Sequence, residues 1–328
     1  MGLTPADETG PLPHGLLGRL ASRPAPGAAG VTGPHRPDPG LLAADLAVLR
    51  DSGYLTLALP ARFGGSGLNL ADLACAQRQL AARAPAAAWA VNAHHAWVGA
   101  AADALASGDV ASPGHEGPGW ILSEAARGAV FAGYGASRDL ETPHVLPPDW
   151  DWLAVRSADA RAPGRPAIGH GFVSRAGAGF RPVARQRLGA PGAQRTPETH
   201  GTPETHGSAL VAGMYAWGLS LAGMVSYAVA RRMFDLAVAR AERAGRSLDQ
   251  WPVAEASLRL DGMRGQLDEV IAGWRQRAAA GGGVTSLDPG GLGLIRQFTA
   301  RHVAADGAER MAELAALIAG DPVAAVRA

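Results

Sequence analysis

The sequence predicts a mainly α-helical protein with a small β region set between two helical parts. Three observations predict it. Apolar residues step by three and four from Leu41 to Val98 and again through the last third of the chain. An uncharged run from Ala209 to Ala230 continues as a helical pattern to Ala244. Between about residues 120 and 208 the texture changes to short β-like runs divided by Pro and Gly. The resulting division is 1–40, a Pro/Gly-rich flexible leader; 41–119, a helical domain; 120–208, a small β domain; and 209–328, a helical bundle.

Each element has a local reason. Leu41, Leu42, Leu46 and Leu49 mark a first helix that Asp51-Ser52-Gly53 ends. A Gly-rich turn follows, and Asn69 is placed to cap a helix from Leu70 to Arg83. Pro85 opens the next, running from Ala86 to about Ala106 and carrying Trp89, Val91, Trp97 and Val98. A loop at Ser112 to Gly119 leads to strand candidates Ala129–Tyr134, Trp152–Val155, Gly171–Ser174 and Phe180–Val183. Trp150 and Trp152 alternate about Asp151 as core packing on a strand face. The tandem hexapeptide Thr196 to Gly201 and Thr202 to Gly207 reads as an exposed loop rather than a metal site. Ser208 caps a helix to Ala244. Pro252 starts another, with Leu260, Met263, Leu267, Val270, Ile271 and Trp274 along one face, and a third bundle helix runs from about Leu292 to Ala319.

Composition narrows the chemistry. The chain has 328 residues, 47% of them apolar, enough for a sizeable core. Formal charge is +1, so neither nucleic acid nor an anionic membrane is called for as a partner. All 30 basic residues are arginine, which excludes Schiff-base and P-loop lysine chemistry. The lone Cys75 leaves no disulfide framework and no cysteine metal site, and a cytoplasmic setting is expected. The uncharged run from Ala209 is long enough to span a bilayer, yet suits the central helix of a bundle buried on all sides. His94 and His95 read as packed or surface side chains.

The turn Pro60-Ala61-Arg62-Phe63-Gly64-Gly65-Ser66-Gly67 resembles the Pro-x-x-Phe/Tyr-Gly-Gly-x-Gly turn of the acyl-CoA dehydrogenase family. The helix pattern from Ala76 to Trp89, the strand Trp152-Leu153-Ala154-Val155, the hairpin from Gly171 to Phe180 and Arg187-Leu188-Gly189 are similar to later segments of that family. So is the stretch from Gly223 to Gly245-Arg246-Ser247-Leu248. Together they cover most of Leu41 to Gly320, in the family's order. The resemblance implies an N-terminal helical domain, a reduced middle β-barrel and a C-terminal bundle. It also implies FAD bound across a subunit interface, an acyl-CoA or other acyl thioester as substrate, and a homo- or hetero-oligomer with a homologous subunit.

This sequence departs from the family where the chemistry sits. The Gly-x-Lys-x-Trp-Ile-Thr/Ser strand that holds the isoalloxazine has no counterpart between Val145 and Trp150. In place of Thr-Glu-Pro-x-x-Gly-Ser-Asp stands Phe131 to Asp139, where Tyr134 and Ser137 remain as hydrogen-bond donors to a flavin. Some family members place their glutamate base where Ala216 stands here and others place it after the third bundle helix, in a segment expected to be missing from this sequence, so no catalytic base can be named. Arg243 and Arg246 are the candidates for a flavin phosphate, through a bidentate contact delivered to the partner subunit. Three functions compete: an acyl-CoA dehydrogenase-like flavoprotein, a flavin-dependent monooxygenase on the same scaffold, and a cofactor-free binding subunit.

Overall fold

The computed structural model describes residues 12–13, 15–21, 39–108, 116–134, 147–159, 167–177, 179–187, 208–245, 250–280, 311 and 314–318. Ser137, Arg246, the duplicated hexapeptide and most of the helix expected from Leu292 to Ala319 lie outside these residues. Within 1–40, expected as a flexible leader, the structure adds a short helix α1 (Leu16–Ala21), whose Leu16 and Leu20 are buried. Their spacing of four is the signal that the surrounding Pro and Gly obscured.

Helix α2 (Pro39–Asp51) buries Leu42, Leu46 and Leu49, whereas Leu41, expected on the same face, points outward. Gly53 ends the helix at φ +75°, in the left-handed region. Two short 3-10 turns, Tyr54–Thr56 and Ala61–Phe63, then fold the signature segment back on itself. The Ser66, Gly67 and Leu68 amides donate to the carbonyls of Thr56, Leu59 and Leu57 at 3.2, 2.8 and 2.8 Å. This close return explains the glycines: a Cβ on Gly65 would sit 2.1 Å from the Leu59 carbonyl oxygen.

Helix α3 (Leu70–Arg83) starts as its sequence dictates, with Asn69 Oδ1 accepting from the Asp72 amide at 3.0 Å. Helix α4 (Pro85–Ala106) follows after Ala84, and its residues from Ala87 to Ala101 are almost all buried. Pro85 at the corner has no amide to offer the last carbonyls of α3. Arg232 supplies the donors from far along the chain, bonding Ala82 and Arg83 oxygens at 3.1 and 3.0 Å. Where a loop leading into a strand was expected, the structure has a helix α5 (Pro118–Ala126). Pro118 at its first turn and the buried Ile121, Leu122 and Ala125 account for it.

The middle region is a four-stranded sheet in the order β1 (Phe131–Ala132), β2 (Trp152–Asp159), β3 (Ala167–Ser174) and β4 (Phe180–Arg187). β1 pairs directly and in parallel with β2, Phe131 opposite Trp152. The other two pairs are antiparallel. Trp150 precedes the strand rather than lying in it, with the Arg175 guanidinium 5.8 Å from its ring centre. Trp152, Trp120, Phe131, Phe172 and Trp97 form a run of edge-to-face contacts between sheet and helices.

Helix α6 (Ser208–Arg243) is the central element, packed against α3, α4 and a last long helix α7 (Gln250–Ala279). It is long and apolar enough to cross a membrane by length and composition, and most of it is buried in this fold. Gly213 lies against Ala100 and Trp217 against Gly99, while Arg232 reaches the start of α4, so α6 runs antiparallel to α4. Trp217 donates to Asp103 at 2.9 Å. Leu260, Met263, Leu267, Ile271 and Trp274 of α7 are buried on one face, with Val270 partly buried beside them.

Candidate functional site

Helix α4 carries the polar groups that the core encloses. Asn92, His94 and His95 are all buried, and Gln77 on α3 joins them. Buried polar side chains need partners, and these find them across elements. Tyr54 donates to Gln77 Oε1 at 2.7 Å. Gln77 Nε2 donates to the Ala88 carbonyl at 2.7 Å and to Asn92 Oδ1 at 3.4 Å. Asn92 Nδ2 donates to the Tyr134 hydroxyl at 2.5 Å. Trp97 Nε1 holds the neighbouring Gly133 carbonyl at 2.9 Å. The end of β1 is thereby tied to α4 by two side chains.

Of the two placements expected for the histidines, packed or on the surface, the structure has the first, and both are fully enclosed. His94 Nε2 donates to the Leu55 carbonyl at 2.9 Å and Nδ1 accepts from the Phe131 amide at 3.4 Å, which defines a neutral tautomer. A second ring proton would face that amide. Burial pushes His94 down to about 4, and pushes His95, beside it, well below the usual histidine value. Both ring nitrogens of His95 lack a hydrogen-bond partner. Neither ring is a general base for a bound ligand.

These groups make a pH prediction with a definite sign. Their folded values lie below the unfolded one, so the unfolded chain binds more protons and stability rises with pH through this window. It is full above about 6.5 and is lost as pH falls toward 4, by about 3 kcal/mol for His94 alone. Denaturant midpoints measured between pH 7 and pH 4 are expected to fall accordingly. His95→Leu, which removes two unpaired nitrogens, is expected to hold its midpoint at pH 7 and flatten that fall.

The site residues expected from the sequence separate. Tyr134 is buried at 6% exposure, its hydroxyl engaged by Asn92 inside the helical core. Arg243 is exposed at the end of α6, with Nε on the Ala239 carbonyl at 3.0 Å. Trp217, which abuts Gly99, is about 39 Å of helix away from Arg243, and Asn92 is about 10 Å along α4 from Gly99. One chain therefore does not bring Tyr134 and Arg243 to a common ligand. Ala216 is fully buried, and α6 carries no acidic residue before Asp235. The described residues do not by themselves form a flavin cradle.

A recess of about 500 Å³ opens at the other end of β1, among Glu124, Arg127, Asp151, Trp152, Ser174 and Arg175. Its polar groups serve one another. Glu124 pairs with Arg127 and accepts from Trp152 Nε1 at 3.2 Å, and Asp151 accepts from the Val130 amide at 2.8 Å. Among the described residues no group of three or more His, Cys, Asp and Glu could hold a metal ion. Sequence reading missed Gln77 and Asn92. Only their shared polarity inside apolar helix faces could have marked them.

No protein-family model matches the chain, and no curated protein matches it in sequence. Its structure is similar to that of KijD3 in complex with FMN and dTDP-3-amino-2,3,6-trideoxy-4-keto-3-methyl-D-glucose, at TM-score 0.62 and 19% identity over 97% of this chain and 85% of that one. It is similar to a nitrososynthase from Micromonospora carbonacea var. africana, at TM-score 0.61 and 18% identity over 98% and 88%. It also resembles methanesulfinate monooxygenase MsuC from Pseudomonas fluorescens, at TM-score 0.58 and 16% identity over 99% and 90%.

Proposed function

We propose that this chain, which has the acyl-CoA dehydrogenase-like fold, is a flavin-dependent oxidoreductase of the monooxygenase kind. The observation that carries the choice is Ala216. A dehydrogenase acting on an acyl thioester needs a carboxylate to take the α-proton. Here one of the family's two positions for that base is a buried alanine, on a helix with no acid before Asp235. A monooxygenase has no such requirement, and the similar structures include MsuC, named a methanesulfinate monooxygenase. Flavin supplies the electron chemistry on this reading. FMN, present in the KijD3 complex, is the form to test first and FAD the second. Ser137 and Arg246 remain flavin-side candidates, and Arg243 would serve a second copy or a homologous subunit, in keeping with its distance from Tyr134. An acyl thioester stays the substrate only if such a subunit brings the missing base.

A cofactor-free binding subunit is the second reading. It is favoured by the inward Tyr134 and by the absence of a counterpart to the family's flavin strand in the sequence between Val145 and Trp150. Visible absorbance of the purified full chain, recorded while FMN or FAD is added, separates the two. A band that shifts and saturates, and a substrate-dependent turnover needing reduced flavin and oxygen, are expected. Bleaching by an acyl-CoA without oxygen would instead restore the dehydrogenase. Absence of binding with both flavins would leave the binding subunit.

A further inference from the structure

We propose that the outer face of α7 pairs with the same face of a second copy of this chain, the two helices running antiparallel about a two-fold axis at the middle of α7. The pairing does not depend on whether flavin binds. Helix α7 has two apolar sides. One carries Leu260, Met263, Leu267, Ile271 and Trp274 and is buried against the rest of the fold. The other carries Trp251 at 75% exposure and Leu258 at 73%, the two most exposed large apolar side chains among the described residues. Helical spacing places Trp251, Leu258, Gly265 and Ala272 in one line, all exposed, with Gly273 beside it. An apolar line of this length on a helix already anchored by its opposite side marks a contact surface.

The order of sizes along this face selects the occupant. Large side chains stand in its N-terminal half and small ones in its C-terminal half. A Cβ added to Gly265 or Gly273 would meet nothing within 4 Å, so no contact inside the chain requires glycine there. Glycine weakens a helix but admits a neighbour close to its backbone. An antiparallel second copy brings the two halves together: Leu258 of each copy comes level with Glu269 of the other, between Gly265 and Ala272, and Trp251 lies over the turn after Gly273. A parallel copy would set Trp251 on Trp251 and leave the glycines facing a gap. Charge agrees with the same register. Helix α7 has four acidic residues and four arginines, with Arg259 held by Glu255 at 3.1 Å and Arg264 by Asp268 at 3.7 Å within the helix. In the antiparallel pair Arg259 comes level with Asp268 and Glu269 of the second copy, and Glu255 lies within a turn of its Arg275. One face thus matches itself in both shape and sign, which is what a closed two-fold contact requires.

Sedimentation velocity of the full chain, over about a hundredfold range of concentration, tests the pairing. A reversible association into pairs is expected. Gly265→Leu fills the groove that receives Leu258, and Leu258→Glu removes the projecting side chain. Each is expected to weaken the pair at least about tenfold. Both positions are exposed in the single chain, so circular dichroism is expected to show unchanged helix content in both variants. Gly265→Leu is the sharper of the two, because within one chain it meets nothing and makes α7 a better helix. A chain that stays single at every concentration overturns the proposal. So does an assembly that both folded variants retain, since it is then built on another face.

Discussion

Gly99→Ala is expected to destabilise the chain by about 3 kcal/mol or more, although alanine is the better helix former by roughly 1 kcal/mol. The conflict is decided by distance. A Cβ at position 99 would meet three ring atoms of Trp217 at 2.4 to 2.5 Å. Trp217 is 1% exposed, and its Nε1 is held by Asp103, so the indole has nowhere to retreat without breaking that half-buried bond. Either α4 and α6 move apart, forfeiting the close packing of Gly213 on Ala100, or the ring leaves its rotamer. Chemical denaturation monitored by tryptophan fluorescence measures the loss. Gly262→Ala on α7 is the internal comparison, because an added Cβ there meets nothing within 4 Å and the helix-propensity gain stands alone. If both substitutions stabilise equally, the α4 to α6 seam is not as close as described.

Gly65→Ala is the second large effect, again of about 3 kcal/mol or more. Its Cβ would lie 2.1 Å from the Leu59 carbonyl oxygen and 2.4 Å from that of Thr56. Both atoms are backbone, and they accept the amides of Gly67 and Ser66, so no side-chain movement relieves the clash. The neighbouring Gly64 presents a different case. It needs a glycine for its φ of +87°, with open space where a side chain would go. Gly64→Asn is therefore expected to cost only about 1 kcal/mol, since asparagine tolerates the left-handed region. Thermal unfolding of the two variants side by side checks the ranking. Equal losses would mean that dihedral preference, rather than contact with the returning chain, dictates this turn.

That turn shows what the sequence could reveal. Its glycines, the Asn69 cap and the prolines before α4 and at the start of α5 are local rules written in adjacent residues. The bounds of α3, α4 and α6 followed from them and from apolar spacing. α5 was overlooked because nine residues rich in small side chains carry too few turns to register a period, even with Pro118 in place. Leu16 and Leu20 escaped for a similar reason. The site was less legible still. Tyr134 could be singled out by resemblance, but its inward direction depends on Asn92, 42 positions away, and nothing in either neighbourhood announces the other. Arg243 sits at a helix end as expected, yet its separation from Tyr134 emerges only from where α6 meets α4, with Trp217 on Gly99 far from the end of α6.

The Arg232 contact with Ala82 and Arg83 carries a consequence for how this chain acquires its shape during synthesis. The carbonyls it satisfies belong to a corner completed about 150 positions earlier, and until α6 arrives they have only water as a partner. The apolar faces of α3 and α4 that α6 covers wait equally long. The early helices therefore emerge from the ribosome as an unfinished surface, and the last third of the chain closes it by long-range contacts of the kind that slow folding.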